Sequence, residues 1–395
     1  MSLNNSREPM TRTLVVLGTR PEAIKLAPVI HALKQHAGPN DQTIVCSTGQ
    51  HREMLLQTFE QFEITPDINL DIMKKGQSPS DVVGRLMIEL GQVYKDHTPD
   101  WVVVQGDTAT VLAGALSATL HKIKVAHVEA GLRTYDNSEP FPEEINRRAV
   151  GVVADQHFAS TELAQQNLLS EGIPPESVMV TGNTVIDSLN WMLSSQQSST
   201  RRNDPNERLI VVTAHRRESF GEPIRQICLA IRDIARNHDN VRIVFPVHLN
   251  PMIREPVHEI LGDEDCVELI EPQNYANFVR LLQNAHMILS DSGGVQEEAS
   301  ALGIPTLLLR DCSERPEAID SGVVLSVGAD RDKITSHAST LLNDADVYSK
   351  MAQPTTVFGD GRASIRIAKC LLNLPFDADD LATTSLNPIE ANVPS

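Results

Sequence analysis

Residues 101–129 read WVVVQGDTATVLAGALSATLHKIKVAHVE. Valine-rich runs at 101–104 and 125–128 flank a helical pattern over 108–121, giving a strand, a helix and a second strand. Parallel strands need such a crossover, because only a connection of about a dozen residues or more returns the chain to the same end of a sheet. The stretch predicts a βαβ unit. Its polar residues stand where such units bind ligands: Gly106 and Asp107 follow the first strand and Glu129 ends the second.

The same alternation runs through most of the chain. Candidate strands at 14–17, 43–46 and 157–159 join the two above, and a second series follows at 209–213, 241–247, 267–269, 287–290 and 306–309. Between the series, 194–206 is rich in Ser, Gln, Asn and Arg and reads as a surface linker. The expected organisation is an N-terminal Rossmann-like domain over 1–190 and a C-terminal one over 191–374. The last helical pattern, 362–372, is able to pack back on the first domain. Residues 375–395 are rich in Asp, Thr, Asn and Pro without periodicity, and a disordered tail is expected there.

With 395 residues, 41% of them hydrophobic, the chain is long enough for two cores. No stretch approaches the ~20 apolar residues of a membrane span, and residues 1–11 lack a signal-peptide core, so a cytoplasmic location is expected. Cys46, Cys228, Cys266, Cys312 and Cys370 are scattered and form no CxxC pair, which argues against a disulfide framework and a structural zinc site. The formal charge of −18 opposes binding to nucleic acid or anionic membrane, although a few converging arginines can still hold a small anion. Gly359-Asp-Gly361 lacks the third glycine of a dinucleotide fingerprint, and there is no Walker loop, HExxH or GxSxG. Neither a redox cofactor nor a metal is expected.

The residues just after each apolar run carry the chemistry. They are Gly18-Thr19-Arg20, Gly106-Asp107, Glu129, His215-Arg216-Arg217, His248 and Ser290-Asp291-Ser292-Gly293-Gly294. The segment 290–305 is the best local phosphate signal: small residues let backbone N–H groups approach a pyrophosphate, and the following helix favours its charge. A tight turn with a serine cap explains it equally well. In 18–25 (GTRPEAIK), Arg20 and Lys25 can reach one anion, while Glu22 and Lys25 can also be an exposed helical pair. Asp107, Glu129 and the pair Glu143 and Glu144 supply carboxylates for acid/base work if they converge; Asp107 can equally cap its helix. Glu129 is harder to dismiss, since a carboxylate ending an apolar run is costly to bury without a partner. His215 and His248 follow strands, though core histidines are the commoner fate.

These motifs resemble the bacterial non-hydrolysing UDP-N-acetylglucosamine 2-epimerases. The resemblance runs from about residue 14 to 374 through GTRPEAIK (18–25), GQHREML (49–55), GDT (106–108), HVEAGLRT (127–134), PEEINRR (142–148), GNTVID (182–187), AHRRES (214–219), VHLNP (247–251), DSGGVQEEA (291–299) and ERPEA (314–318). It implies a GT-B-like α/β fold, two Rossmann-like domains whose parallel sheets face a central cleft. It also implies interconversion of UDP-GlcNAc and UDP-ManNAc by elimination of UDP to 2-acetamidoglucal and re-addition. Asp107, Glu129, Glu143 and His215 would be the acid/base and leaving-group residues. Arg20 and Lys25 would lie near the pyrophosphate, Ser292, Gly293 and Gly294 at a helix N-terminus, Gln273 and Phe278 around the uracil and Glu298 on the ribose, with Arg315 also on UDP.

Some members of this family bind a second UDP-GlcNAc as activator. The matching positions are Gln50, Glu53, Gly76, Gln77, Glu143, Arg216 and His248. Glu53 stands where glutamine is usual and Gly76 where arginine is usual, so a weaker site built on Gln50, Gln77, Arg216 and His248 is expected. A homodimer acting on UDP-sugars, with no nucleic-acid or membrane partner, completes the expectation. The alternatives are a hydrolysing epimerase and a GT-B glycosyltransferase using UDP-GlcNAc.

Overall fold

The computed structural model describes residues 10–381 except 50, 51, 75, 196–206 and 312. The chain divides into two compact units, one formed by the stretch up to Ser188 together with that from Gly359, the other by Leu189–Phe358. Both are parallel α/β sheets, the fold class of GT-B-like proteins.

The first unit carries β1 (Arg12–Leu17), β2 (Gln42–Ser47), β3 (Ile68–Asn69), β4 (Trp101–Gln105), β5 (Lys124–Ala130), β6 (Gln156–Ala159) and β7 (Val178–Val180). They form one sheet in the order β3-β2-β1-β4-β5-β6-β7, with every neighbouring pair parallel. The intervening helices are α1 (Arg20–His36), α2 (Arg52–Gln61), α3 (Pro79–His97), α4 (Ala109–Leu120), α5 (Glu143–Val153) and α6 (Glu162–Ser170), and α7 (Thr184–Ser195) follows β7 and contains the boundary at Ser188. β1 and β4 are buried along almost their whole length, and strands covered on both faces read as unbroken apolar runs rather than as alternation. Leu14, Val16, Val102, Val104 and Val125 pack with Leu86, Leu90 and Val111 of α3 and α4 into one core.

The second unit repeats the plan with β8 (Arg208–Thr213), β9 (Val241–Pro246), β10 (Val267–Ile270), β11 (Met287–Ser290), β12 (Thr306–Leu308) and β13 (Val324–Ser326), again all parallel, in the order β10-β9-β8-β11-β12-β13. Its helices are α8 (Glu222–Asn237), α9 (Pro251–Leu261), α10 (Tyr275–Gln283), α11 (Gly293–Leu302), α12 (Pro316–Asp320), α13 (Arg331–Asn343) and α14 (Ala345–Met351). On α8, Ile224, Ile227, Cys228, Ile231 and Ile234 recur at helical spacing and bury one stripe in the core against β8 and β9. In each sheet the chain builds outward on one side, then crosses to the other. The two switch points, β1/β4 and β8/β11, are where ligands of open α/β sheets bind.

The last described helices belong to the first unit. α15 (Ala363–Leu371) packs on α1, and Asp187 accepts from Ser364 N at 2.8 Å and its hydroxyl at 2.5 Å. The buried Arg366 donates to Thr181 O at 3.0 Å and pairs with Asp360 at 2.7 Å. Residues from Gly359 through α15 thus group with the first unit, the side on which the last helical pattern was expected to be able to pack. The expectation of disorder from 375 needs correction for its first residues. α16 (Ala378–Leu381) is tied down because Asp380 accepts from Lys369 and from Arg362 at 2.7 Å. Residues 382–395 and most of the expected linker fall outside the described residues. Among the described residues no helix is long and apolar enough to cross a membrane.

Candidate active site

At the first switch point, the chain leaves β1 through Gly18 and enters α1 at once. A Cβ on Gly18 would run into the hydroxyls of Thr48 and Thr110, so only glycine fits this close approach. Thr19 caps α1 in a capping box with Glu22. Glu22 is no exposed helical partner of Lys25: it is 1% exposed, and its Oε2 accepts from Gly18 N at 2.5 Å and Thr19 N at 2.8 Å. Its Oε1 accepts from the Thr108 hydroxyl, so one carboxylate clips the turn after β1 to the turn after β4. Burial pushes the Glu22 carboxyl up to about 7, against the pull of the Thr108, Gly18 and Thr19 hydrogen bonds.

Four polar side chains surround the carboxylates that end β4 and β5. Glu129 is 4% exposed and accepts from Lys25 Nζ and from Asn183 Nδ2 at 2.9 Å. It sits at φ +62, in a bulge where the β5–β6 register slips between Val128 and Ala130. The left-handed conformation is unfavourable for glutamate, and in an otherwise regular strand it turns the side chain away from the strand's alternation. Arg147 donates through Nη1 to Glu129 O at 2.7 Å and through Nη2 to the carboxylate of Asp107, with Glu129 Oε1 3.6 Å away. Asn146 donates to Asp107 O at 2.8 Å. The cap of α4 is Thr108, which accepts from Val111 N, so Asp107 is left for the arginine. His127 is fully buried, donates to Gly106 O at 2.7 Å and is pushed down to about 3 chiefly by burial; it is a neutral brace for the Gly106-Asp107 turn.

Glu143 and Glu144 part company. Glu144 is buried and accepts from Thr134 N at 3.0 Å and Tyr135 N at 3.2 Å, a structural task, whereas Glu143 is half-buried at the first residue of α5. Arg20 is half-buried at the first residue of α1.

In the second unit, the turns after β8 and β11 meet at the second switch point. Asp291 is fully buried, and its Oδ2 accepts from His215 N at 2.8 Å, Arg216 N at 2.9 Å and the Ser219 hydroxyl at 2.8 Å. Its Oδ1 lies 3.2 Å from His215 Nδ1. The His215 ring stacks with that of His248 at a centroid distance of 6.2 Å, and burial, then His215, pushes His248 down. α11 begins with Gly293 and Gly294, and the Ser292 side chain makes no capping hydrogen bond, so the serine-cap reading does not hold. A Cβ on Gly293 would lie 2.5 Å from Arg315 Nη1, whereas nothing stands within 4 Å of one on Gly294. Arg315 is buried between Glu297 and Glu314, the latter at 2.7 Å. Such an N-terminus, backed by an arginine, is chemically suited to a diphosphate.

Glu298 is also buried, on the same helix, and accepts from the Tyr275 hydroxyl at 2.7 Å. Phe278 is half-buried against Leu209, Val211 and Ile288 in the core, and Gln273 is half-buried with its Nε2 on Glu271 O at 2.7 Å. Of the expected regulatory residues, Gln77 accepts from Lys74 N at 2.5 Å in the first unit, while Arg216 and His248 stand in the second. Gln50 lies outside the described residues.

Sequence reasoning left Glu22, Arg147, Asn183 and Asp291 unassigned although all four lie inside motifs already singled out. One signal was available. Glu143, Asn146 and Arg147 stand at i, i+3 and i+4 of α5, so a carboxylate, an amide and a guanidinium share one helix face.

The chain matches the family model described as UDP-N-acetylglucosamine 2-epimerase over residues 31–372. It is 48% identical to the UDP-N-acetylglucosamine 2-epimerase of Yersinia pestis, covering 92% of this chain and 98% of that protein. It is 46% identical to that of Escherichia coli K12 over the same shares. The crystal structure of the Neisseria meningitidis UDP-GlcNAc 2-epimerase bound to UDP-GlcNAc superposes with a TM-score of 0.89 at 45% identity, covering 92% of this chain and all of that one. The chain belongs to the UDP-N-acetylglucosamine 2-epimerase family.

Proposed function

We propose that the protein interconverts UDP-GlcNAc and UDP-ManNAc without releasing free sugar, by eliminating UDP and adding it back to 2-acetamidoglucal. The observation that carries this reading is the cluster of Lys25, Asp107, Glu129, Arg147 and Asn183 at the first switch point. It gathers two carboxylates with cations able to hold them ionised or to take up charge as protons move.

The order of bond breaking follows from acidity. C2 of the sugar has no adjacent carbonyl, so no carboxylate removes its proton directly. When the C1–O bond breaks, its electron pair leaves with UDP and C1 becomes oxocarbenium-like, which makes the C2 proton acidic. A carboxylate of the Asp107, Glu129 and Glu143 set takes that proton and the C–H pair forms the C1–C2 double bond. Addition from UDP with protonation of the opposite face gives the epimer. Stabilising the departing diphosphate does most to lower the barrier. Arg20, Arg315, His215 and the amides of Ser292, Gly293 and Gly294 serve that role, Gln273 and Phe278 hold the uracil and Glu298 the ribose.

We further assign the protein to the cytoplasm as a homodimer supplying ManNAc units for surface polysaccharide. Exposed Ile88, Leu120 and Val152, on the neighbouring helices α3, α4 and α5, support a second copy as the cover. The test of the reaction is an NMR time course of UDP-GlcNAc in deuterated water without added NAD or metal. Formation of UDP-ManNAc with deuterium at C2 of the product is expected. Retention of the C2 hydrogen would overturn elimination, and accumulation of free ManNAc would move the assignment to a hydrolysing enzyme.

A further inference from the structure

Three donors, two backbone amides and the Ser219 hydroxyl, converge on Oδ2 of Asp291. Among the described residues its Oδ1 has no hydrogen bond of good geometry and one cation-capable neighbour, His215 Nδ1 at 3.2 Å. Burial works to raise this carboxyl, but the His215 side chain and the amides of Arg216 and His215 outweigh it and hold it down at about 2. A fully buried, ionised oxygen requires a donor, so the facing nitrogen of His215 must carry a hydrogen. The opposite nitrogen, Nε2, lies on the other edge of a side chain that is 41% exposed.

We propose that Asp291 is a positioning residue: it fixes His215 as the Nδ1–H tautomer and sets its ring plane, so that a proton held at Nε2 faces the leaving diphosphate. The assignment of His215 to the leaving group rests on the 2-epimerase reading above. The tautomer itself does not, being a property of the resting protein. The same carboxylate also anchors the backbone of His215 and Arg216, so ring and main chain are set by one group. A carboxylate that orients an imidazole without touching the reacting atoms is a recurrent arrangement in acyl transfer, where its amide variant traps the wrong tautomer.

The experiment has two arms on the full-length protein. In the first, 15N chemical shifts of His215, assigned with a His215→Asn control, are recorded on the unmodified protein and on Asp291→Asn. The unmodified protein is expected to show Nδ1–H. In the variant, the amide oxygen can keep the three donors, leaving its NH2 to face the ring, and the signal should switch to Nε2–H. In the second arm, Asp291→Asn is expected to lose about a hundredfold or more in kcat with UDP-GlcNAc while KM changes less than about threefold. The double variant with His215→Asn should lose little more than His215→Asn alone. An Nε2–H tautomer in the unmodified protein, or kcat within about threefold of normal in folded Asp291→Asn, overturns the proposal. If the protein does not turn over UDP-GlcNAc at all, the 2-epimerase reading fails and the tautomer arm still decides the role of Asp291. Should Asp291→Asn not fold, the tautomer of the unmodified protein decides it alone.

Discussion

Arg147 donates through Nη1 to the main-chain carbonyl of Glu129 at 2.7 Å. Its other terminal nitrogen holds the carboxylate of Asp107, so a single guanidinium spaces the two acids that stand at the ends of β4 and β5. A planar fork with fixed donors can do this, whereas a lysine ammonium is a point charge on a flexible stem. Arg147→Ala is expected to cost ~3 kcal/mol of stability, because the buried Glu129 and the partly buried Asp107 lose their shared partner. The same change should lower kcat by about a hundredfold or more. Arg147→Lys should regain part of the stability and little of the activity. Urea unfolding and steady-state kinetics separate the two, and full activity in Arg147→Lys would show that charge alone suffices.

Glu22 predicts how stability depends on pH. Its folded value of about 7 lies above the ordinary 4.5, so between these values the folded protein holds a proton that the unfolded chain has released. The contribution is intact below about pH 4.5 and is lost as pH rises toward 7, with a slope of at most ~1.4 kcal/mol per pH unit, then levels off. Asp187, pushed up to about 6 by burial against its bonds from Ser364 and Ala363, acts in the same direction from 3.8 upward. Glu22→Gln can keep all three hydrogen bonds, with its amide nitrogen donating to the Thr108 hydroxyl. It should fold and flatten the pH dependence. Denaturant midpoints from pH 4 to 8 are the measurement, and an unchanged slope in Glu22→Gln would mean that Glu22 titrates normally.

Gly293 and Gly294 predict opposite outcomes from the same added methyl. At Gly293 a Cβ meets the Arg315 guanidinium, so Gly293→Ala must displace a buried ion pair before any ligand binds, and stability as well as UDP affinity should fall. At Gly294 the space is open, and alanine is the better helix former. Gly294→Ala should therefore melt within about 1 °C of the parent or slightly above it. Its UDP affinity should drop about tenfold, because the methyl takes the space a pyrophosphate needs beside the first turn of α11. Calorimetric titration with UDP, paired with thermal melts, tests the contrast. Unchanged affinity in Gly294→Ala would remove this helix N-terminus from the site.

The sheets were legible because buried parallel strands are continuous apolar runs, as at 14–17 or 209–213, and local pattern is enough to find them. β3, β7 and β13 were not, although β12, no longer than β7 or β13, was. The strand-end rule located Asp107, Glu129 and His215, but not what holds them. Lys25 and Asn183 reach Glu129 from two other segments of the first unit, and no local spacing encodes a contact between residues so far apart in the chain. For the same reason the pairing of Lys25, expected near a pyrophosphate, with Glu129 was not legible. Glu22 was read only as half of an exposed helical pair, because its burial, which decides its proton affinity, depends on the packed α4 turn.

Regulation by a second UDP-GlcNAc is expected to be weak. The family resemblance implies that strong activation goes with a glutamine at position 53 and an arginine at 76, whereas this chain has Glu53 and Gly76. A carboxylate in place of an amide repels a diphosphate, and the missing guanidinium removes a two-pronged phosphate partner. Gly76 also lies at φ +81, a backbone region that arginine adopts only at a cost of about 1 kcal/mol or more. The space around it is open among the described residues, so the obstacle is conformational rather than steric. Gln77, Arg216 and His248 remain, but Gln77 already accepts from Lys74 N and the Arg216 amide is held by Asp291. Turnover of UDP-ManNAc should therefore begin at once without added UDP-GlcNAc, and substrate curves should be only slightly sigmoidal. Glu53→Gln alone should steepen them, because it removes the repulsion without needing a new backbone conformation, and Gly76→Arg should add less than its charge suggests. A lag or complete failure with UDP-ManNAc until UDP-GlcNAc is supplied would show that neither residue limits the activator site.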